Sequence, residues 1–184
     1  MQGVLSVGVN IAIEPVVQIL LKNMNSTIVF SSKSWSNLLN EEFLILNFFT
    51  FNSSTESFPE LNIDHDVVVK FINEHNKKVL RFVQKDQILN INEKSYRDLV
   101  NLQFTINFNI KFLNSQLNII KNKMYEYSTY ICFNDSIDML RNKIINSASF
   151  NSDSAIDCEL VATGLKHIIN HYKNNYKILC NELL

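Results

Sequence analysis

The chain has 184 residues, a formal net charge of −1, 46% hydrophobic and 19% charged residues. That is enough apolar material for a packed core, which excludes a disordered acidic or basic tail, and near-neutrality excludes a global field that would attract nucleic acid. Three glycines leave little material for phosphate-cradling loops, and no nucleophile elbow or HExxH is present. The composition therefore points away from an enzyme, and no cofactor is expected.

In chain order, Val7, Val9, Ile11 and Ile13 alternate with Gly8, Asn10 and Ala12, the period of a half-buried strand. Glu14–Pro15 breaks it. Val16–Leu21 reads as a second strand, Asn23–Ser26 as a turn and Thr27–Phe30 as a third strand. Ser31 or Ser32 then caps a short helix through Leu39. Glu41–Phe51 is apolar at seven of eleven positions, and both continued helix and buried strand fit it. Asn52–Asn62 is polar and serine-rich, and reads as a linker.

Val67–Ile72 and Val79–Gln84 follow as strands around a turn at Glu74–Lys77, with Lys85–Gln87 turning into a strand at Ile88–Ile91. Asn92 caps a helix over Glu93–Asn101, and an apolar-polar run continues to about Lys123. Tyr127–Phe133 reads as one more strand, and Asn134 as the cap of a helix to about Asn146. Ser154 with Asp157 resembles a capping box. From there Ile156, Leu160, Leu165, Ile168, Ile169, Tyr172, Tyr176 and Leu179 trace one stripe of a long helix, interrupted at Gly164.

The strongest organising signal is a repeat. TIVFSSKSWSNLL from Thr27 and ILNINEKSYRDLV from Ile88 share a strand, a polar cap (Ser31, Asn92), an aromatic (Trp35, Tyr96) and a leucine three residues on (Leu38, Leu99). The expected class is α+β: two tandem antiparallel sheet-plus-helix units over 1–52 and 63–123, a pseudo-dimer, followed by a strand and two helices over 124–184. Trp35 should be buried.

Residues 61–113 carry eight basic and six acidic side chains, whereas residues 1–60 carry two and five. Any nucleic-acid surface therefore falls in the second unit. The hairpin Val67–Gln84 places Val67, Val69, Phe71, Leu80 and Phe82 on a core side and Lys70 and Arg81 on the other, with Lys77, Lys78 and Lys85 at the turns. Cations on an open sheet face can track phosphates, and these five are the candidate nucleic-acid-binding residues. The plainer reading is a solvated face, because Asp64, Asp66, Glu74 and Asp86 lie among them.

His167 and His171 have the i, i+4 spacing of metal ligands but no fixed third ligand, and polar-face histidines are the simpler account. Cys132, Cys158 and Cys180 are odd in number without CxxC spacing, which suggests buried free thiols in a reducing compartment. Met1–Glu14 lacks the basic start of a signal peptide, and the apolar runs are short of a membrane span. An intracellular protein without a membrane partner is expected. Asn is unusually frequent, at 26 residues. With Ile, Lys and Phe it suggests an AT-rich genome, as in large DNA viruses, and so a nucleus or a virus-infected cell.

The pattern Ile28–Ser31–Trp35–Leu38, and Leu89–Asn92–Tyr96–Leu99 in the second copy, resembles the positive cofactor four family of single-stranded-DNA-binding transcriptional coactivators. Its members have a four-stranded antiparallel sheet followed by a helix, and pair into dimers that hold separated strands. The resemblance covers Val16–Phe51 and Val67–Leu113. It implies a single-stranded nucleic-acid partner in transcription or replication, and homo-oligomerisation through helix faces such as that of Leu165 and Ile168. The first unit departs from the family in lacking basic strands. The alternative function is a non-enzymatic structural or scaffold subunit, of a virion or another complex, that keeps the fold without DNA binding.

Overall fold

A computed structural model describes residues 3–12, 14–51, 58–74, 77–132 and 135–172. It is an α+β protein, about 51% helical and 25% strand. The elements are β1 (Val4–Asn10), β2 (Val16–Lys22), β3 (Thr27–Ser31), α1 (Ser32–Asn40), α2 (Glu42–Thr50), β4 (Leu61–Asn62), β5 (Val68–Glu74), β6 (Lys77–Gln84), β7 (Gln87–Ile91), α3 (Glu93–Asn101), α4 (Gln103–Ser128), α5 (Ile137–Ile145) and α6 (Ala155–Glu159). The chain divides into two compact units. One is Met1–Gly8 with Val17–Leu113, and the other is Val9–Val16 with Asn114–Leu184. Both sheet-helix repeats thus belong to the first unit.

That unit holds a three-stranded sheet, β1-β2-β3, and a four-stranded one, β4-β5-β6-β7. The repeat runs at a constant offset of 61 residues, from Trp35 to Tyr96, without an insertion. Ile19 and Leu80, Ile28 and Leu89, Trp35 and Tyr96, Leu38 and Leu99, and Ile45 and Ile106 are equivalent and all buried. Each β3- or β7-type strand ends in a cap. Ser31 accepts from the Ser34 backbone N–H at 3.0 Å, and Asn92 from that of Ser95 at 2.9 Å. One residue after each nine-residue helix a second helix starts, at Glu42 and at Gln103. Glu41–Phe51, open in sequence to either structure, is therefore helical, with Ile45, Phe48 and Phe49 buried. Of the stretch read as a linker, Leu61–Asn62 pairs with β5 as an edge strand, and residues 52–57 lie outside the described residues.

The open edge of β3 is closed by side chains. Val29 donates its N–H to Gln84 Oε1 at 2.8 Å and accepts from Gln84 Nε2 at 2.9 Å, so one amide takes the place of a strand neighbour. Thr27 N–H goes to Gln87 Oε1 at 3.2 Å, and Ser31 N–H to Ser34 Oγ at 2.7 Å. Unpaired edges template aggregation, and this one presents no free N–H at alternate positions. Phe30 and Phe82 meet edge to face at 5.9 Å. The buried aromatics are not equally satisfied. Trp35 Nε1 donates to Asn107 Oδ1 at 3.1 Å, whereas the Tyr96 hydroxyl is buried without a hydrogen-bond partner. The position equivalent to Asn107 in the first repeat is Leu46, which offers no acceptor.

The second unit packs Ile120, Met124, Tyr127, Ile131, Leu140, Ile144, Leu160, Val161, Leu165, Ile168 and Ile169 into one core, with Val9 and Ile11 against it. The strand expected over Tyr127–Phe133 does not form. Helix α4 continues to Ser128 and Thr129–Tyr130 is a turn, because Ile120, Met124 and Tyr127 extend a helical rather than a period-two stripe into the core. Residues 133–134 lie outside the described residues, so the cap assigned to Asn134 does too. Helix α5 is capped by Ser136, which accepts from Met139 N–H.

After α6 the chain passes through a π-helical turn, Leu160–Gly164, and resumes α-helix over 165–172. A Cβ on Gly164 would lie 3.0 Å from both Ile11 Cδ1 and Leu160 Cδ2, so glycine allows the close approach there. Tyr176 and Leu179 fall outside the described residues.

The capping box forms by half: Ser154 caps α6, accepting from the Asp157 backbone N–H at 3.2 Å, while the Asp157 carboxylate is engaged elsewhere. It is buried and accepts from the Tyr127 hydroxyl, with Lys123 Nζ at 3.4 Å. Lys123 also donates to the Ser149 carbonyl at 2.6 Å. Burial pushes the Asp157 carboxyl up, but the hydrogen bonds from Tyr127 and Ser154 and the Lys123 charge outweigh it and hold the group below its ordinary value. Lys123 is depressed by burial, yet Glu126 and Asp157 raise it overall. The Tyr127 hydroxyl is raised by burial first and then by Asp157. Cys132 and Cys158 are free thiols but exposed, not buried: Cys132 lies in the coil after α4 and Cys158 on the solvent side of α6; Cys180 is outside the described residues.

Candidate nucleic-acid interface

The four-stranded sheet is two-faced because strand side chains alternate. Its inner face carries the buried Val69, Leu80, Phe82 and Leu89. In register on the outer face, Lys70 is opposite Arg81 and Arg81 opposite Asn90, with Val68, Val83 and Ile88 in the next row and Ile72 and Val79 on the other side. Along β6 the outward positions read Lys77, Val79, Arg81, Val83, and Lys85 follows in the turn. The cations recur every four residues, about 13 Å apart.

Four of the five candidate residues, Lys70, Lys77, Arg81 and Lys85, are therefore on or at the ends of one outward face. Lys85 is exposed and adopts φ 53°, the left-handed conformation of a tight hairpin turn. Lys70 pairs with Glu60 at 2.8 Å, an exposed contact of the kind that contributes little and exchanges readily. Arg81 Nε donates to Asn90 Oδ1 at 3.0 Å.

Lys78 is different. Its parity puts it on the inner face, where its ammonium donates to the carbonyls of Phe48 at 2.7 Å and of Phe51, the last turn of α2, and lies 5.5 Å from the Phe48 ring centre. It closes a helix C-terminus, as a cation at that end of the dipole should. Sequence starts the strand at Val79 and puts Lys77 and Lys78 together at the turn; with β6 starting at Lys77, alternation separates them.

Lys94 was not singled out in the sequence, being on a helix. It lines an open groove of about 790 Å³ with Lys77, Lys78, Phe49 and Glu93. It also lines a cleft of about 460 Å³ with Lys22, Asn23, Asn90 and Asn92. Asn90 thus belongs both to the Lys70–Arg81 row and to this cleft. The signal that could have found Lys94 is its position two residues after the Asn92 cap, at the mouth of α3.

The outer sheet face is aliphatic between its cations, so any apolar contact to bases there would be to valine and isoleucine. Among the described residues no group of three or more His, Cys, Asp and Glu is assembled to hold a metal, and no helix is long and apolar enough to cross a membrane. No protein-family model, curated protein or solved structure matches the chain.

Proposed function

We propose that this chain is a non-enzymatic single-stranded nucleic-acid-binding protein, acting where strands are separated in transcription or replication. The observation that carries the reading is the outward row of β6, Lys77–Arg81–Lys85 with Lys70 beside it, on an open sheet face. Cations about 13 Å apart suit an extended, flexible strand, and the intervening valines and Asn90 give it apolar and hydrogen-bonding contacts. Lys22 and Lys94 at the adjoining cleft would extend the track.

Fluorescence anisotropy with a labelled oligothymidylate tests it. Four phosphate contacts on a single strand give a log–log salt slope of roughly −3. Arg81→Ala should flatten that slope by about 0.7 and weaken binding without regard to base sequence. Absence of binding at low salt, or a slope untouched by Arg81→Ala and Lys77→Ala together, would sink the reading.

The runner-up is a structural subunit of an assembly, such as a virion. The phenylalanines that α2 and α4 leave in solvent favour it, and in that case the same titration returns no oligonucleotide binding at any salt.

A further inference from the structure

The two repeats part company at the outer edges of β3 and β7. β7 is the last strand of its sheet. Across the two-residue hairpin at Lys85–Asp86, Gln87, Leu89 and Ile91 turn their main-chain groups toward β6. Ile88 and Asn90 therefore turn N–H and C=O to the open edge. Asn90 is the equivalent of Val29, whose N–H and C=O are both taken up by the Gln84 amide. The equivalent of Gln84 is Asn23, one methylene shorter. Its Oδ1 is turned back on its own hairpin, accepting from Asn25 N–H at 2.9 Å and from Ser26 N–H at 2.8 Å. One half of a reciprocal arrangement is thus filled from within the chain and the other is not.

On the unfilled side lies the cleft of about 460 Å³, inside the range of about 300–1,000 Å³ of small-ligand sites. Residues 89–92 line it in succession. A sheet face contributes every second residue, so four in a row place the cleft against the strand edge. Asn23 lines it as well, and Lys22 and Lys94 bring two ammoniums to it against one carboxylate, Asp98. All of these residues belong to the first unit.

We propose that this cleft takes one unpaired base of a bound single strand, its base-pairing edge hydrogen-bonded to the Asn90 main chain. The inference rests on the strand-binding reading and says how the protein tells a single strand from a duplex. Gln84 shows what such a site accepts, a C=O beside an N–H in one plane. Thymine carries that pair at O4 and N3–H. The other bases also set a donor beside an acceptor on this edge, so the contact is indifferent to sequence. In a duplex the edge is spent on the opposite base, and only an extruded or single-stranded base can offer it. Lys22 and Lys94 serve the flanking phosphates, and Asn90 joins the cleft to the Lys70–Arg81 row. An extended peptide also adds to open strand edges, but it needs a run of outward main-chain groups. Here β7 offers Ile88 and Asn90 before Asn92 caps α3, and the lysines favour phosphate.

Fluorescence anisotropy of the unaltered chain with two labelled strands tests this. One is an oligothymidylate, the other the same strand methylated at N3 of every thymine. The methyl group removes the donor and blocks the edge, yet leaves every phosphate in place. Methylation should weaken binding about tenfold, the scale of two lost hydrogen bonds, with the salt slope unchanged. Asn90→Pro removes the outward N–H at an edge position, where proline is tolerated. It should weaken the natural strand about tenfold and abolish the penalty of methylation, because both changes delete one contact. If Asn90→Pro melts early, Asn23→Gln takes its place, since its longer amide fills the edge as Gln84 does. Equal affinity for the two strands would overturn the proposal, leave the sheet-face reading standing and free the edge for a peptide. A methylation penalty undiminished in the variant would put the base elsewhere and overturn it too. No binding of either strand at low salt would remove both readings.

Discussion

Tyr96 and Trp35 occupy equivalent positions in the two repeats and are both 1% exposed, yet only one finds a partner for its polar atom. A buried donor left unpaired costs about 1–3 kcal/mol. Tyr96→Phe should therefore be neutral or stabilising by up to about 1 kcal/mol, whereas Trp35→Phe should cost about 2 kcal/mol or more, since it strands Asn107 and leaves a void. Urea midpoints of the two variants check this, and a clear loss for Tyr96→Phe would show that the hydroxyl has a partner after all. The burial of both aromatics was legible from their place one turn inside a capped helix. Their satisfaction was not, because it depends on residue 107 in one case and residue 46 in the other, each on a helix distant in sequence.

At the scale of elements, sequence read the strands and caps well wherever a local signal marked both ends. The boundaries of α3 fall where Asn92 and the apolar pair Tyr96–Leu99 put them. It failed over Tyr127–Phe133, whose start belongs to a helical stripe set upstream by Ile120 and Met124, and left Glu41–Phe51 open because so apolar a run does not fix its own period. Among the candidate site residues, parity along β6 sorted Arg81 from Leu80 and Phe82. The role of Lys78 needed α2 in place above it. Lys78→Met keeps the aliphatic stem and removes the ligand of the last α2 carbonyls. It should cost about 1.5 kcal/mol, the scale of a hydrogen bond to a charged group, and lower the melting temperature by a few degrees. Oligonucleotide affinity should stay within twofold, and a large loss of affinity with unchanged melting would reassign Lys78 to the interface.

For the molecule as a whole, the acid side of the pH dependence should come from the second unit, around Asp157, while the buried Tyr96 of the first unit, raised chiefly by burial, adds to the alkaline side. Asp157 is held below its ordinary value, so its contribution is present above about pH 4 and lost as pH falls through the folded value. Lys123 and Tyr127 are raised, so theirs are present below about pH 10 and lost as pH rises through the folded values. Thermal unfolding should thus show a plateau between the two limits and fall on both sides. Asp157→Ala should lower the plateau by about 3 kcal/mol, because the Tyr127 hydroxyl and the Lys123 charge are left without their carboxylate, and it should flatten the acid limb. An acid limb unchanged in Asp157→Ala would place the controlling group elsewhere. Net charge, −1 over the whole chain, could not have revealed this brace, nor the cations gathered on one sheet face.

Gln84 holds Val29 by its main chain alone. Such a clasp is indifferent to which side chain residue 29 carries, but not to where residue 29 lies. The N–H groups of β3 point alternately toward β2 and toward the open edge. A slip of one residue would present the amide with nothing, and a slip of two would strand Gln87 or Ser34. The glutamines therefore act as a vernier between the two repeats. The two can differ in composition, as Trp35 and Tyr96 do, but a residue gained or lost within β3 would carry Val29 off the Gln84 amide. An offset that stays at 61 from Ile19 to Ile106 is the trace such a constraint would leave.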